Sequence, residues 1–201
     1  MTPRRLSLAA GALLVVALLV VGLIQLASGS RTGAARTHLT AAQVRAQLAG
    51  SAPPLAALHA QAGMLLGGGA PAMRARLRAL RGLPIVVNKW ASWCVPCSAE
   101  FGAFQGASVR LGRQVAFIGI DSADSSRAAG AAFLRSTPVG YPSYYDSSGA
   151  LGGAITGSPF TPVTVLFDRR GGKYVHQGPY SSEARLEADI KRYALREPSR
   201  A

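Results

Sequence analysis

The chain holds two cysteines, and both lie in one short segment, Trp93-Cys94-Val95-Pro96-Cys97. Two thiols three residues apart do not build a disulfide framework; they suit a reversible two-electron switch. The attacking species in such chemistry is a thiolate, so one thiol of the pair must ionise near neutral pH. The apolar run Leu83 to Trp90 reads as a strand ending just before the motif, and Val95 to Leu111 reads as a helix starting on it. Cys94 would then face unpaired N–H groups at a helix start, where the dipole adds about half a positive charge. Each unit of lowered pKa favours the thiolate by about 1.36 kcal/mol. Cys97 follows after about one helical turn, near enough to return to Cys94 and deeper in the fold. The expectation is that Cys94 attacks and Cys97 releases the mixed disulfide. Pro96 fixes the turn, and Trp93 shields the Cys94 face and offers apolar contact to substrates.

A metal site would be the competing use of these thiols. Structural zinc needs four ligands, usually two C-x-x-C pairs or histidines at fixed spacing. Here there is one pair, and His38, His59 and His176 are scattered, so they read as surface or core residues and no metal is expected. No organic cofactor is implied either, because the cysteine pair carries the electrons. Two soft thiolates do favour Cu(I), which leaves a copper-binding chaperone as the alternative function. The peroxidatic pattern P-x-x-x-T-x-x-C is absent.

The elements that must position the motif follow from periodicity. Ile85-Val86-Val87 begins a buried strand through about Ala91, and Val115 to Ile120 is a second one. Ser125 to Ser136 reads as a helix with Asp124 as its cap, Pro162 to Asp168 as a third strand, and Arg169-Arg170-Gly171-Gly172 as a turn. Lys173 to Gln177 is the returning strand and Ser182 to Leu195 a closing helix. A β-α-β unit followed by a hairpin and a helix predicts an α/β sandwich with a mixed sheet. C-x-x-C beside a β-α-β pattern points to a thioredoxin-like motif. Upstream, Thr40 caps a short helix through Leu48. Leu55, Leu58, Ala62, Leu65 and Leu66 recur at helical spacing, and Pro71 opens a segment ending at Gly82. This region reads as a helical preface, with Arg74, Arg78 and Arg81 on its solvated face.

The N-terminus reads as an anchor. Arg4 and Arg5 precede an uncharged stretch from Leu6 to Ser30. Residues 6–27 supply the roughly 20 apolar positions a transmembrane helix needs, with the arginines holding the N-terminus in the cytoplasm. The alternative is a signal cleaved near Ala27-Ser28-Gly29, giving a secreted protein. Either way the rest of the chain is extracytoplasmic, where disulfide chemistry is allowed. The predicted organisation is a signal anchor over 1–30, a tether and helical preface over 31–70, and the catalytic domain over 71–201. Ten of the 22 Lys and Arg residues precede Glu100, the first acidic residue. That basic excess suits anionic headgroups or an acidic partner. No nucleic-acid-binding motif accompanies it, so nucleic acid is excluded as a partner.

The segment Val86-Val87-Asn88-Lys89-Trp90-Ala91-Ser92-Trp93-Cys94-Val95-Pro96-Cys97-Ser98-Ala99-Glu100-Phe101 resembles the active-site stretch of membrane-anchored TlpA/ResA-type thioredoxin-like proteins, V-N-F-W-A-S-W-C-x-P-C-x-x-E. The resemblance runs over about residues 75–197. Tyr141-Pro142 with Asp146 looks like that family's central insertion, and Thr161 to Asp168 looks like its P-T-T-F-L-I-D strand. It implies a thioredoxin-like three-layer sandwich and a thiol–disulfide oxidoreductase acting on protein dithiols and disulfides. It also implies a membrane redox partner and a role as reductant in cytochrome c maturation. By the same resemblance Pro162 is a cis-proline lying against the CxxC, and Thr161 leaves its backbone free for an incoming peptide.

The chain departs from that pattern in several places. Lys89 replaces an aromatic, which predicts a partly exposed strand face or a partner contact. Asn88 stands where cytosolic thioredoxins carry a buried Asp that helps proton transfer. Asp121 is a candidate replacement, although a turn role suits it better, and Glu100 is expected to make a helix-surface or packing contact. The preface lacks the family's N-terminal hairpin signature. The wider cysteine spacing and partner His of related copper-delivery proteins are also absent.

Overall fold

A computed structural model describes residues 39–197. The predicted span over residues 6–27, with the tether through His38, lies outside the described residues. Among the described residues, no helix is long and apolar enough to cross a membrane.

The chain runs α1 (Ala41–Gln47), α2 (Pro53–His59), β1 (Leu65–Leu66), α3 (Gly69–Ala79), β2 (Ile85–Trp90), α4 (Val95–Leu111) and β3 (Ala116–Ser122). It continues through α5 (Arg127–Ser136), β4 (Ser143–Asp146), α6 (Ala150–Thr156), β5 (Val163–Phe167), β6 (Lys173–Gln177) and α7 (Glu183–Asp189), followed by a π-helical turn, Ile190–Ala194. The strands form one sheet in the order β1-β4-β3-β2-β5-β6. β1, β4, β3 and β2 are parallel, β5 runs antiparallel to β2, and β6 runs antiparallel to β5, so the sheet is mixed.

Strand alternation divides the core between the two faces. Val86 and Trp90 of β2 join Phe101, Phe104, Phe117 and Leu186 on one face. Ile85 and Val87 join Leu58, Met73, Ile118 and Val165 on the other. Both faces of the central strands are therefore covered by helices, as a largely parallel sheet requires. This is a three-layer sandwich.

Several sequence expectations hold in type and shift in detail. Thr40 caps α1 with a capping box completed by Gln43. Leu65 and Leu66 are a strand beside β4 rather than the end of a helix, because α2 stops at His59. An apolar pair fits both periodicities. The helix at 125–136 starts at Arg127 and is capped by Ser126, not Asp124. Asp124 is used elsewhere, as described below. The closing helix changes to π-helical hydrogen bonding at Ile190.

Candidate active site

Cys94 is the N-cap of α4, and its extended backbone hands the chain from the β2 end into the helix. Its Sγ accepts the Cys97 N–H at 3.2 Å. Pro96 lies in the first turn, where a missing N–H costs no helical bond. The two sulfurs are joined in a disulfide of 2.05 Å. Cys97 is fully buried and Cys94 retains 3% of its surface. The sulfur left at Cys94 by reduction would keep the helix-start N–H groups, which favour a thiolate.

The loop before the disulfide is pinned from below. Asp124 accepts the Ser92 N–H and the Ser92 hydroxyl, both at 2.8 Å, and also the Ser125 N–H at 2.8 Å. The Trp93 indole donates to Ala123 O at 3.1 Å. Its ring nonetheless stands 59% exposed, next to Val95 at 80%. Across the end of β2, the register pairs Lys89 with Val163, which sets Pro162 beside the exit of the strand. The Thr161–Pro162 bond is cis. Among the described residues, neither main-chain group of Thr161 has a hydrogen-bond partner. Phe160, which sequence reading did not single out, is 74% exposed on the same loop.

Beneath the disulfide lies an acid that the sequence assigned to a minor contact. Glu100 is wholly buried. Its Oε1 accepts from Asn88 Nδ2 at 3.2 Å, and its Oε2 accepts from the Tyr180 N–H at 2.9 Å. Burial raises its pKa to about 7, against the lowering effect of those two donors. The signal was in the spacing: Cys97, Phe101, Phe104 and Ser108 define the inner face of α4, and Glu100 falls on it. Asn88 Oδ1 and the Tyr141 hydroxyl are buried without hydrogen-bond partners among the described residues.

Asp121 is no turn residue either. It lies buried opposite Trp90, and its carboxyl is pushed up to about 8, first by burial and then by Asp124. Two ionised carboxylates would have no donor between them; a proton on Asp121 supplies one. Asp124 is held low by the donors from Ser92, in spite of its own burial. The pair thus keeps one proton and one charge. The strand face at Lys89 is not partly exposed, one of the two expectations for it. Lys89 is buried on the other face, where its Nζ donates to Ser158 O at 2.8 Å. Of the histidines, His59 is buried, while His176 stacks on Tyr180 at 3.9 Å and lies 3.7 Å from Asp189. No group of three or more His, Cys, Asp or Glu able to hold a metal occurs among the described residues.

No protein-family model and no curated protein matches the chain. Solved structures do. A DsbF homologue from Corynebacterium diphtheriae is 25% identical over 58% of this chain and 75% of its own, with a TM-score of 0.54. A secreted thiol-disulfide isomerase from Corynebacterium glutamicum is 23% identical over 60% and 73%, with a TM-score of 0.51. A thiol:disulfide interchange protein of the thioredoxin family from Chlorobium tepidum TLS is 23% identical over 57% and 82%, with a TM-score of 0.50. The fold is therefore a thioredoxin-like α/β fold with a mixed sheet, and its structural neighbours are thiol–disulfide oxidoreductases.

Proposed function

We propose that this chain is an extracytoplasmic enzyme that exchanges its Cys94–Cys97 disulfide with cysteines of other proteins. The observation that carries the reading is a disulfide at the first turn of α4 whose outer sulfur, Cys94, accepts a helix-start N–H. In the oxidised form, a substrate thiolate attacks Cys94 Sγ. A bond forms between substrate sulfur and Cys94, the Cys94–Cys97 bond breaks, and Cys97 leaves as a thiolate. A second substrate thiolate then displaces Cys94, so the substrate leaves oxidised by two electrons and the enzyme keeps two thiols. Run backwards, the Cys94 thiolate attacks a substrate disulfide and Cys97 resolves the mixed disulfide. Glu100, one turn beyond Cys97 and titrating near pH 7, is suited to hold the proton that Cys97 gains or loses.

Exposed apolar side chains around the site favour a protein rather than a small thiol as the substrate. Trp93 and Val95 flank Cys94 in the chain, and Phe160 shares a groove with Trp93 and Thr161; all three are exposed, where solvated surfaces seldom gather large apolar groups. Thr161 offers its unpaired main chain to an extended peptide. The uncharged run over residues 6–27 behind Arg4 and Arg5 supports a membrane anchor with the domain outside the cytoplasm. The resemblance to TlpA/ResA-type chains extends the proposal to reductive work on apocytochrome c cysteines, with electrons from a membrane partner.

One experiment tests the chemistry and the substrate together. Cys94→Ser is expected to abolish exchange, whereas Cys97→Ser accumulates mixed disulfides through Cys94 that reductant releases. Mass spectrometry of the trapped partners tests the substrate assignment, with apocytochrome c expected among them. Exchange persisting in Cys94→Ser overturns the assignment of the nucleophile.

A further inference from the structure

Lys89 is the one charged residue of β2, and its surroundings give it a use. The strand turns it toward the face covered by α6, where its chain packs near Gly152 and 2% of its surface remains exposed. Yet it lines an open groove of about 470 Å³, together with Trp93, Ser122, Ser148, Phe160 and Thr161. An ammonium carries three N–H donors. One goes to Ser158 O, and among the described residues Lys89 Nζ makes no other hydrogen bond.

The nearby acid does not fill the gap. Asp146 already accepts from the Gly152 N–H at 2.8 Å and from the hydroxyls of Ser122 and Ser148 at 3.3 and 3.4 Å. It forms no ion pair with Lys89 within 4.0 Å. Burial lowers the Lys89 pKa, and the charge of Asp146 opposes that shift. A secluded cation with spare donors is poorly compensated, and a carboxylate within reach satisfies both its charge and its hydrogen bonds. The groove is bounded by Trp93, the residue before Cys94, and by the loop that carries Phe160 and Thr161.

We propose that Lys89 is a specificity residue that reads a carboxylate on the substrate, an Asp or Glu within two residues of the reacting cysteine. The inference rests on the thiol–disulfide exchange reading. A peptide crossing Thr161 with its cysteine at Cys94 lays a neighbouring side chain into the groove, between Trp93 and Phe160 and down onto Lys89.

The test uses the oxidised full chain and matched cysteine peptides carrying Glu, Gln or Lys at each of the two positions on either side of the cysteine. At one or more positions, Glu is expected to exceed Gln about tenfold in kcat/KM, with Lys slower still, and added salt should shrink the ratio. In Lys89→Met the Glu-to-Gln ratio should fall to about one. A wild-type ratio of one at every position overturns the proposal without need of the variant. So does a Lys89→Met protein that slows on all peptides but keeps the ratio, because that marks a role in holding Ser158 alone. Exchange with every peptide at equal rate sinks this proposal and leaves the exchange reading standing. Exchange with none sinks both.

Discussion

At the scale of single residues, the site was legible where chemistry forces a residue type and hidden where burial decides the role. Cys94, Cys97 and Pro96 could be placed from the motif, and Thr161-Pro162 from resemblance, because each depends on local spacing. Glu100 could not, since a glutamate on a helix is ordinarily solvated and only the packing of α4 against the sheet removes it from water. Burial raises its carboxyl into the neutral range, as it also does for Asp121. With its pKa raised to about 7, Glu100 gains or loses its proton in the range where a cysteine pair works. Wild-type exchange should therefore show an inflection near pH 7. Glu100→Gln keeps the shape, and Asn88 can rotate its unpartnered Oδ1 toward the new amide. The variant should lose the inflection and slow by about 10²-fold at neutral pH, the low end for assisted proton transfer. Stopped-flow exchange from pH 5 to 9 measures this. A uniform drop that preserves the inflection would mean Glu100 only supports the packing.

At the scale of elements, segments with a clear period, cap or turn signal were readable, and those without one were not. The helix over 95–111 and the strand over 173–177 coincide with α4 and β6. Missing from the sequence reading were β4 and α6. Ser143-Tyr144-Tyr145-Asp146 has no β-branched residue, and α6 begins after Gly149, which has a left-handed backbone and no capping side chain. These two elements lie between β3 and β5, and their place is fixed by tertiary contacts. Gly119 of β3 is one such contact. A Cβ there would stand 2.1 Å from Ser143 Oγ and 2.9 Å from Trp90 Nε1, the two atoms that hydrogen-bond across the sheet at 3.1 Å. Trp90 in turn stacks on Phe133 at 5.1 Å and meets Phe101 edge-on at 5.2 Å. Gly119→Ala should therefore cost about 2–4 kcal/mol, from overpacking and a broken buried hydrogen bond. Urea unfolding measures the loss. Pairing it with Ser143→Ala should recover part of it, whereas strictly additive losses would place the damage elsewhere.

At the scale of the whole molecule, buried carboxyls set how stability answers to pH. Glu100 and Asp121 bind protons more tightly in the folded state, near 7 and 8, than in the unfolded chain, near 4.5 and 3.8. Wherever the folded state holds more protons, stability falls as pH rises, so the contribution of these acids is full below their unfolded values and lost through the folded ones. His59 and His176 work in the opposite sense, because burial lowers both below 6.5 and their neutral forms support the fold. Their contribution is present above pH 6.5 and is lost as the pH falls below it. Asp124, held low, likewise loses its contribution only on the acid side. Between pH 6.5 and 8 the two raised acids titrate, and the last protons leaving the unfolded histidines offset only a small part of their effect. The oxidised protein, whose cysteines carry no titrating thiol, should therefore lose on the order of 2 kcal/mol across that interval. Urea unfolding at pH 6.5 and pH 8 checks the slope, and combining Glu100→Gln with Asp121→Asn should flatten it. A wild type equally stable at both values would mean that these carboxyls are already ionised in the folded state. The proton held for exchange at the disulfide would then have to come from solvent.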